Sequence, residues 1–310
     1  MDYSQILSQQ FNIKEEYAKN IITLLDDGNT IPFIARYRKE MHGSMDDQLI
    51  REFAEKLEYL RGLDKRRDEI RSLIDAQEKL TDEINLALDK AATLSELEDI
   101  YRPYRPKRKT RASIAKEKGL EPLANDILKQ EKGFDPSKSA VDYIDEEKGV
   151  TSVEDAIQGA MDIIAELVSD NAEIRKRIRN LTNANGVLVS VATDEEKDSV
   201  YKNYYDYKEP VKKIAGHRVL AVNRGEKEGF LKVSVETDSE KPLNSIFRAM
   251  ITDKNQLCSD IIREACTDAY QRLIYPSIER EVRNDLTDTA SENAMKVFAV
   301  NLKQLLMQPP

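Results

Sequence analysis

Apolar residues recur at helical spacing along most of this chain, and this pattern constrains the fold more than any other feature. Ala18, Ile21, Ile22 and Leu25 follow one another at i, i+3, i+4 and i+7, which places them on one face of a helix. Only 11 glycines and 10 prolines interrupt the 310 residues, so breaks between helices are few. We therefore expect a mainly α fold, a multi-helix assembly with one small β-sheet insertion.

The composition is that of a protein with a true hydrophobic core. Hydrophobic residues make up 40% of the chain, and its length suffices for one large domain or two ordinary ones. No apolar run approaches the roughly 20 residues of a membrane span, and the first residues lack the pattern of a signal peptide. We expect a cytoplasmic protein that does not bind membranes. Cys258 and Cys266 lack a metal-binding spacing and are expected to be buried and reduced.

Short helices joined by tight turns are predicted for the N-terminal region. Asn12 and Glu15 have the spacing of a capping box, which would start the first helix. Gly28 is suited to ending that helix. Thr30 is suited to starting the second helix, and Asp46 to starting the third. This succession is compatible with a helix-turn-helix arrangement, although the same geometry is common in helical proteins that do not touch DNA.

Two segments have the character of β-strands. They are VLVSVA (187–192) and FLKVSVE (230–236), which are short and rich in β-branched residues. We expect them to pair in a small sheet around residues 187–236, with a segment at 217–225 that fits either helix or strand. Helical spacing resumes after the sheet and ends in a very long helix that begins near Pro276.

The best functional signal is a basic connector, residues 101–111, with the sequence YRPYRPKRKTR. Its two prolines and scarcity of apolar residues predict an extended, exposed segment. Dense cations suit phosphates, because neutralising them releases counterions, and tyrosines can stack on unpaired bases. The candidate nucleic-acid-binding residues are Tyr101, Arg102, Tyr104, Arg105, Lys107, Arg108, Lys109 and Arg111. The alternative is that these cations pair with the chain's own acids or keep a loop soluble.

Two further basic runs lie elsewhere in the chain. They are Lys65–Arg67 with Arg71, and Arg175–Arg177 with Arg179; both lie on predicted helices that also carry acids, so solvated helix faces are expected. For the domain organisation, we expect an N-terminal helical domain over residues 1–118 that ends in the basic connector. A central helical region that includes the sheet would then span residues 119–310.

Nothing in the sequence indicates catalysis. The two histidines, His42 and His217, each stand alone beside a glycine, without a nucleophile or acid partner at a recognisable spacing. Phosphate-binding, dinucleotide-binding and metal-binding motifs do not occur. We therefore expect no catalytic residues, no metal site and no required cofactor, although an active site assembled from distant residues would leave no such pattern.

Several stretches together resemble the N-terminal half of the bacterial Tex family. They are IPFIARYRKE (31–40), LEDIYRPYRPKRKTRASIAKEKGLEPLA (97–124), HRVLAVNRGEKEG (217–229), YPSIEREVRNDLT (275–287) and NLKQLLMQPP (301–310). The resemblance implies an N-terminal region with helix-turn-helix character and a central, mostly helical region. It also implies nucleic-acid binding and a connection to transcription, in an architecture similar to a eukaryotic elongation factor.

The resemblance further implies domains that we expect to be absent from these 310 residues. In the family, an RNase-H-like domain, helix-hairpin-helix elements and a C-terminal OB-fold RNA-binding domain follow. Affinity for nucleic acid is expected to depend heavily on the OB-fold domain, so this chain is expected to bind weakly or not at all by itself. Two hypotheses remain open: a nucleic-acid-binding module, or a scaffold that braces the other domains or docks on the transcription machinery.

Overall fold

The computed structural model describes residues 2–106, 108–252 and 254–308 and is mainly helical, with a single three-stranded sheet in those ranges. This confirms the predicted mainly α fold with one small sheet. The chain divides into two compact units, Met1–Tyr104 and Arg105–Pro310, which we call the first and second units and describe separately.

The first unit consists of helices joined by short turns. They are α1 (Tyr3–Phe11), α2 (Glu15–Asp26), α3 (Ile31–Tyr37), α4 (Lys39–His42), α5 (Asp47–Asp75), α6 (Asp82–Lys90) and α7 (Leu94–Tyr101). As predicted, Thr30 precedes α3 and Asp46 precedes α5. The Asp46 carboxylate accepts a hydrogen bond of 2.8 Å from the backbone N–H of Leu49, which satisfies a donor that the helix itself leaves free.

The predicted start of the first helix is wrong. Helix α1 precedes it, and Asn12 ends α1 in the left-handed conformation, with φ of 51°. Asparagine tolerates this conformation because its short polar side chain can bond to the local backbone. Helix α2 begins after Lys14, whose side chain makes no capping bond. Asn12 is therefore the C-cap of one helix and not part of a capping box for the next.

Two hydrophobic clusters stabilise the first unit, and the long helix α5 contributes to both. Its N-terminal half packs against α1, α2 and α3 through Phe53 and Leu57. Its C-terminal half packs against α6 and α7 through Ile70 and Ile74. The apolar side chains of this one helix thus serve two successive cores.

Helices α3 and α4 are tied together by a buried histidine. His42 is fully buried, and its Nε2 lies 3.1 Å from the carbonyl oxygen of Ile34. Gly43 follows with φ of 65°, a conformation that glycine adopts without strain. The structure accounts for His42 as a packing residue, while the helix-turn-helix function of this region stays a prediction.

The second unit combines helices with the small sheet. Its elements are α8 (Arg111–Glu117), α9 (Glu121–Lys129), α10 (Pro136–Ala140), α11 (Val153–Asp170), α12 (Ala172–Asn185), β1 (Val187–Ala192), β2 (Asp206–Pro210), α13 (Gly216–Lys227), β3 (Leu231–Glu236), α14 (Glu240–Met250), α15 (Gln256–Asp268) and α16 (Tyr275–Leu306). A π-helical turn, Ala269–Ile274, joins the last two helices.

The sheet is antiparallel, with strand order β2-β1-β3. The pairing of β1 with β3 confirms the two predicted strands, with Ser190 opposite Val233. Strand β2 was not predicted, because its residues DYKEP are charged and alternate in burial at a sheet edge. The ambiguous segment 217–225 is helical and lies within α13, where Val219 and Val222 are buried.

Helix α11 is central to the core of the second unit and packs against α8, α9 and α15. The Ser152 hydroxyl caps its start by accepting a hydrogen bond of 3.1 Å from the N–H of Asp155. Ala112 and Ala115 of α8 lie in the same core. The two compact units divide between Tyr104 and Arg105, before α8, and the domain boundary expected at residue 118 stays a prediction.

The C-terminal helices carry both cysteines and the longest helix. Cys258 and Cys266 lie on α15 as buried free thiols, which agrees with the structural role expected for them. Helix α16 is anchored through Ile278, Val282 and Ala290, and its side chains beyond Ala290 are exposed up to residue 308. In the described ranges, no helix combines the length and apolar character needed to cross a membrane.

Candidate nucleic-acid interface

The first part of the basic connector is folded into the first unit. Tyr101 is the last residue of α7 and is only 6% exposed, packed in a cluster that includes Leu63 and Leu97. The guanidinium of Arg66 lies over its ring, 5.7 Å from the centroid. A ring covered in this way cannot stack on a base. The expectation that the connector is extended and exposed throughout is therefore wrong at Tyr101.

Arg102 and Tyr104 form a turn of 3-10 helix, Arg102–Tyr104, that continues α7. Tyr104 is half-buried against the same cluster, and its carbonyl oxygen accepts a hydrogen bond of 2.9 Å from the Gln77 side chain. Arg102 is also half-buried and takes part in an interaction within the protein. The prolines of this stretch do not prevent compaction, because Pro103 lies within the turn, where no α-helical hydrogen bond is required.

The later cations of the connector lie on the surface of the second unit. Arg105, Arg108, Lys109 and Arg111 are all exposed, whereas Lys107 lies outside the described residues. Arg105 takes part in an interaction within the protein. Lys109 lies 3.7 Å from the Glu117 carboxylate, with both side chains more than 60% exposed (69% and 65%). Such an exposed pair contributes little to stability, so Lys109 can exchange this partner for a phosphate at low cost.

A well-formed helix cap fixes the end of the connector. Thr110 and Ser113 form a capping box at the start of α8, with bonds of 3.0 Å and 2.8 Å. The Thr110 hydroxyl also donates a hydrogen bond of 3.0 Å to Glu166 on α11. Arg111 is thereby placed in the first turn of α8, where the positive end of the helix dipole disfavours a cation. This position favours an anion beside Arg111.

An acidic side chain of the protein partly supplies that anion. Asp162 on α11 lines a surface depression together with Arg111 and Lys118. Burial raises the pKa of Asp162, while the charges of Arg272 and Arg111 act against this shift. The depression thus contains both signs of charge and is less suited to a phosphate than the exposed side chains of Arg105, Arg108 and Lys109.

In the basic run on α5, Lys65 is exposed, whereas the three arginines have partners within the protein. Arg67 is 5% exposed and donates hydrogen bonds of 2.8 Å and 2.9 Å to the carbonyl oxygens of Leu88 and Ala91. These carbonyls lie at the C-terminal end of α6, where helices leave acceptors unsatisfied. Arg71 pairs with Asp68 and Asp89 at 2.7 Å each. The expectation of a solvated face is therefore wrong for Arg67.

The basic run on α12 is divided by the helix geometry. Arg175 is fully buried and Arg179 half-buried, and both contact Glu281 of α16, at 2.8 Å and 2.9 Å. Arg177, which lies between them in sequence, is exposed. Residues two positions apart point to opposite sides of a helix, so one sequence run provides both core and surface cations.

The two histidines lie in different units. His42 is buried in the first unit, whereas His217 is exposed near the start of α13 in the second. Among the residues that the structure describes, no group of three or more His, Cys, Asp or Glu side chains could hold a metal ion. The absence of catalytic residues and cofactors stays a prediction.

Comparison with known proteins identifies the class of protein that this architecture represents. Residues 1–75 match the family model described as "Tex-like protein N-terminal domain", and residues 131–298 match the model described as "Tex central region-like". The first match lies within the first unit and the second match lies within the second unit. The chain belongs to the Tex family.

Relatives from distant organisms match along the entire chain. The Bacillus subtilis (strain 168) protein "Uncharacterized protein YdcI" is 44% identical over 100% of the chain and 44% of its own length. The Neisseria gonorrhoeae "Transcriptional accessory protein Tex" is 36% identical over 100% of the chain and 42% of its length. The Homo sapiens "S1 RNA-binding domain-containing protein 1" is 31% identical over 100% of the chain and 32% of its own length. The chain therefore spans less than half the length of these relatives.

Proposed function

We propose that this chain is a non-catalytic nucleic-acid-binding module of a transcription accessory protein. The observation that carries the proposal is the exposure of Arg105, Arg108, Lys109 and Arg111 on one short segment that contains no acid. Cations so placed can follow a phosphate backbone, and a cytoplasmic location would suit this role. The names of two relatives, "Transcriptional accessory protein Tex" and "S1 RNA-binding domain-containing protein 1", support a role in transcription and with RNA.

Recognition through this segment would be sequence-tolerant. Phosphate contacts set position and affinity, whereas sequence is read by side chains held rigidly against base edges. Tyr101 is buried and Tyr104 is half-buried, so the two aromatic side chains suggested for base stacking contribute little to such an interface. Binding by the chain would therefore be electrostatic and weak.

A second candidate function is a scaffold that braces other domains or docks on the transcription machinery. The folding of Tyr101 and Tyr104 into the first unit favours it, as does the tethering of Thr110 to Glu166. In this role, the connector cations would maintain the structure, and their removal would lower stability instead of affinity.

A charge-matched pair of variants separates the two functions. The connector variant carries Arg105→Ala, Lys107→Ala, Arg108→Ala and Lys109→Ala. The control variant replaces with Ala four exposed lysines of the second unit that pair with a nearby Asp, Lys129, Lys138, Lys148 and Lys202. Binding of a labelled single-stranded RNA is measured by fluorescence anisotropy at several salt concentrations, and folding by circular dichroism.

The nucleic-acid role predicts a difference between these variants. The connector variant should lose affinity, and its log–log salt slope should decrease by up to about 3, at roughly 0.7 for each phosphate that is no longer neutralised. The control variant should change much less, although its net charge changes equally. Equal affinity and slope for wild type and connector variant, together with a lower melting temperature of that variant, would instead support the scaffold.

A further inference from the structure

A second basic surface lies in the second unit, in a groove between α12 and α14. Its lining residues are Arg177 and Leu181 from α12, and Lys241, Asn244, Ser245 and Arg248 from α14. None of these side chains is acidic, three are cations, and two others can donate hydrogen bonds to an anion. We call this surface the α12–α14 groove.

Helix geometry explains why these residues share one surface. Lys241, Asn244, Ser245 and Arg248 follow at i, i+3, i+4 and i+7, so they form one stripe along α14. The opposite side of α14 is anchored in the protein through Pro242 and Ile246, which are buried. On the facing helix, Arg177 and Leu181 are one turn apart. The groove is therefore built on two regular helices whose other faces are fixed in the core.

The cations of the groove differ from the other arginines of α12. Arg175 and Arg179 are engaged with Glu281, whereas Arg177, Lys241 and Arg248 are exposed and form no ion pair within the described part of the chain. Exposed cations that face a shared groove without a carboxylate raise the local positive potential, although the whole chain has a net charge of −9.

We propose that the α12–α14 groove binds the phosphate backbone of a nucleic acid as a second contact surface. The proposal rests on the proposed function, because it assigns a further site for the same class of ligand. Arginine side chains can bind phosphate oxygens through two parallel N–H donors, and Asn244 and Ser245 add neutral donors. Lys241 and Arg248 are seven residues apart, about 10 Å along the helix, which suits separate phosphates of one strand better than a single small anion.

The test compares a groove variant with a charge-matched control in the complete chain. The groove variant carries Arg177→Gln, Lys241→Gln and Arg248→Gln, which remove the charges but keep polar side chains of intermediate length. The control carries Lys138→Gln, Lys148→Gln and Lys202→Gln, exposed lysines that each pair with a nearby aspartate. The anisotropy titration with labelled single-stranded RNA is repeated for both, together with the connector variant.

The groove variant is expected to bind on the order of ten-fold more weakly at low salt, with a salt slope smaller by about 2. The control should retain wild-type slope and affinity within a small factor, and all variants should keep the wild-type circular dichroism. Wild-type affinity and slope in the groove variant would overturn the proposal. The proposed function would still stand in that case, provided that the connector variant had lost binding.

Other outcomes separate the two ideas further. Loss of binding in the groove variant alone would support the groove and refute the connector as a contact. Absence of binding by the wild-type chain at all salt concentrations would overturn both. Titration calorimetry with inorganic phosphate tests whether the groove binds a small free anion instead of the phosphates of a nucleic acid. Saturable phosphate binding that the groove variant lacks, together with unchanged RNA binding by that variant, would assign the groove to small anions and overturn its assignment to nucleic acid.

Discussion

The guanidinium of Arg175 is fully buried and donates a hydrogen bond of 2.8 Å from Nη2 to Oε1 of Glu281 on helix α16. The same nitrogen also donates to the Ser277 hydroxyl at 3.0 Å, and Arg179 binds the second oxygen of Glu281 at 2.9 Å. Helices α12 and α16 are thus joined through one carboxylate. This leaves Arg177, on the other side of α12, to face solvent.

Replacing Arg175 with Ala should strongly destabilise the second unit. The change leaves a cavity and removes one of the two arginines that Glu281 binds, so we expect a loss of about 3 kcal/mol in the free energy of unfolding. Arg177→Ala is the matched control and should change stability by less than about 0.5 kcal/mol. Urea unfolding followed by circular dichroism measures both. Equal midpoints for the two variants would contradict the assigned network.

Replacing Arg67 with Ala should destabilise the first unit. The carbonyl oxygens of Leu88 and Ala91 would lose their donor and Asp64 would lose its ion-pair partner, which we expect to cost about 3 kcal/mol together. Arg71→Ala removes a half-exposed arginine from the same helix and should cost about 1 kcal/mol or less. The comparison uses the same urea experiment, and a larger effect of Arg71→Ala would refute the assigned role of Arg67.

Both thiols should be unreactive in the folded protein. Burial raises the pKa of Cys258, and it raises the pKa of Cys266 to about 12. The thiolate is the form that reacts with a disulfide reagent. At about pH 8 almost no thiolate should be present at either cysteine of the folded protein. Labelling should be slow in buffer and should reach two thiols per chain in denaturant. Rapid native labelling would show that α15 is more open than the structure indicates.

The Asp162→Asn variant should be more stable than wild type at neutral pH. Burial raises the pKa of Asp162, so the folded state binds a proton more readily than the unfolded state. The contribution of Asp162 to stability is therefore present below its pKa in the unfolded state. It is lost as the pH rises through that value and then through the higher pKa in the folded state. The variant should therefore be more stable than wild type when the pH is above both pKa values of Asp162. The difference should vanish when the pH falls below 3.8, the ordinary pKa of an aspartate.

Asp145→Asn provides a control of opposite sign. Hydrogen bonds from the Lys148 side chain and backbone lower the pKa of Asp145, so its charge stabilises the folded state above the unfolded pKa. This variant should be less stable than wild type at neutral pH, and the difference should disappear as pH falls through the lowered folded pKa. Unfolding at a series of pH values measures both variants. If both substitutions changed the stability at neutral pH in the same direction, the environments assigned to Asp162 and Asp145 would be wrong.

Much of the fold follows from periodicity, because apolar spacing directly reports which side of an element is buried. Strands β1 and β3 are predictable from their β-branched residues, and helix α5 from its cap at Asp46. Strand β2 is not, because Asp206–Pro210 gains its order from pairing with β1, a long-range effect that its charged sequence does not report. The wrong prediction at Asn12 arises because the same residue type favours both ends of a helix.

The candidate site is harder to predict, because exposure is a tertiary property. Two prolines near Tyr101 favour an extended exposed segment, yet the ring packs against α5 residues far away in sequence. A run such as Arg175–Arg179 has one charge pattern but two faces, and only the facing helix shows which cations are buried. Lys241 and Arg248 are single cations that form no basic run, and the packing of α14 on α12 brings them beside Arg177.

Binding of nucleic acid through phosphate contacts is the central claim, and a salt-dependent titration tests it most directly. Labelled single-stranded RNAs of unrelated sequence are titrated with the wild-type chain over a range of salt concentrations. We predict that the logarithm of the binding constant falls linearly with the logarithm of salt, by about 0.7 per phosphate neutralised, with one slope for every sequence. Absence of binding at the lowest salt, or an affinity that salt does not change, would contradict the claim.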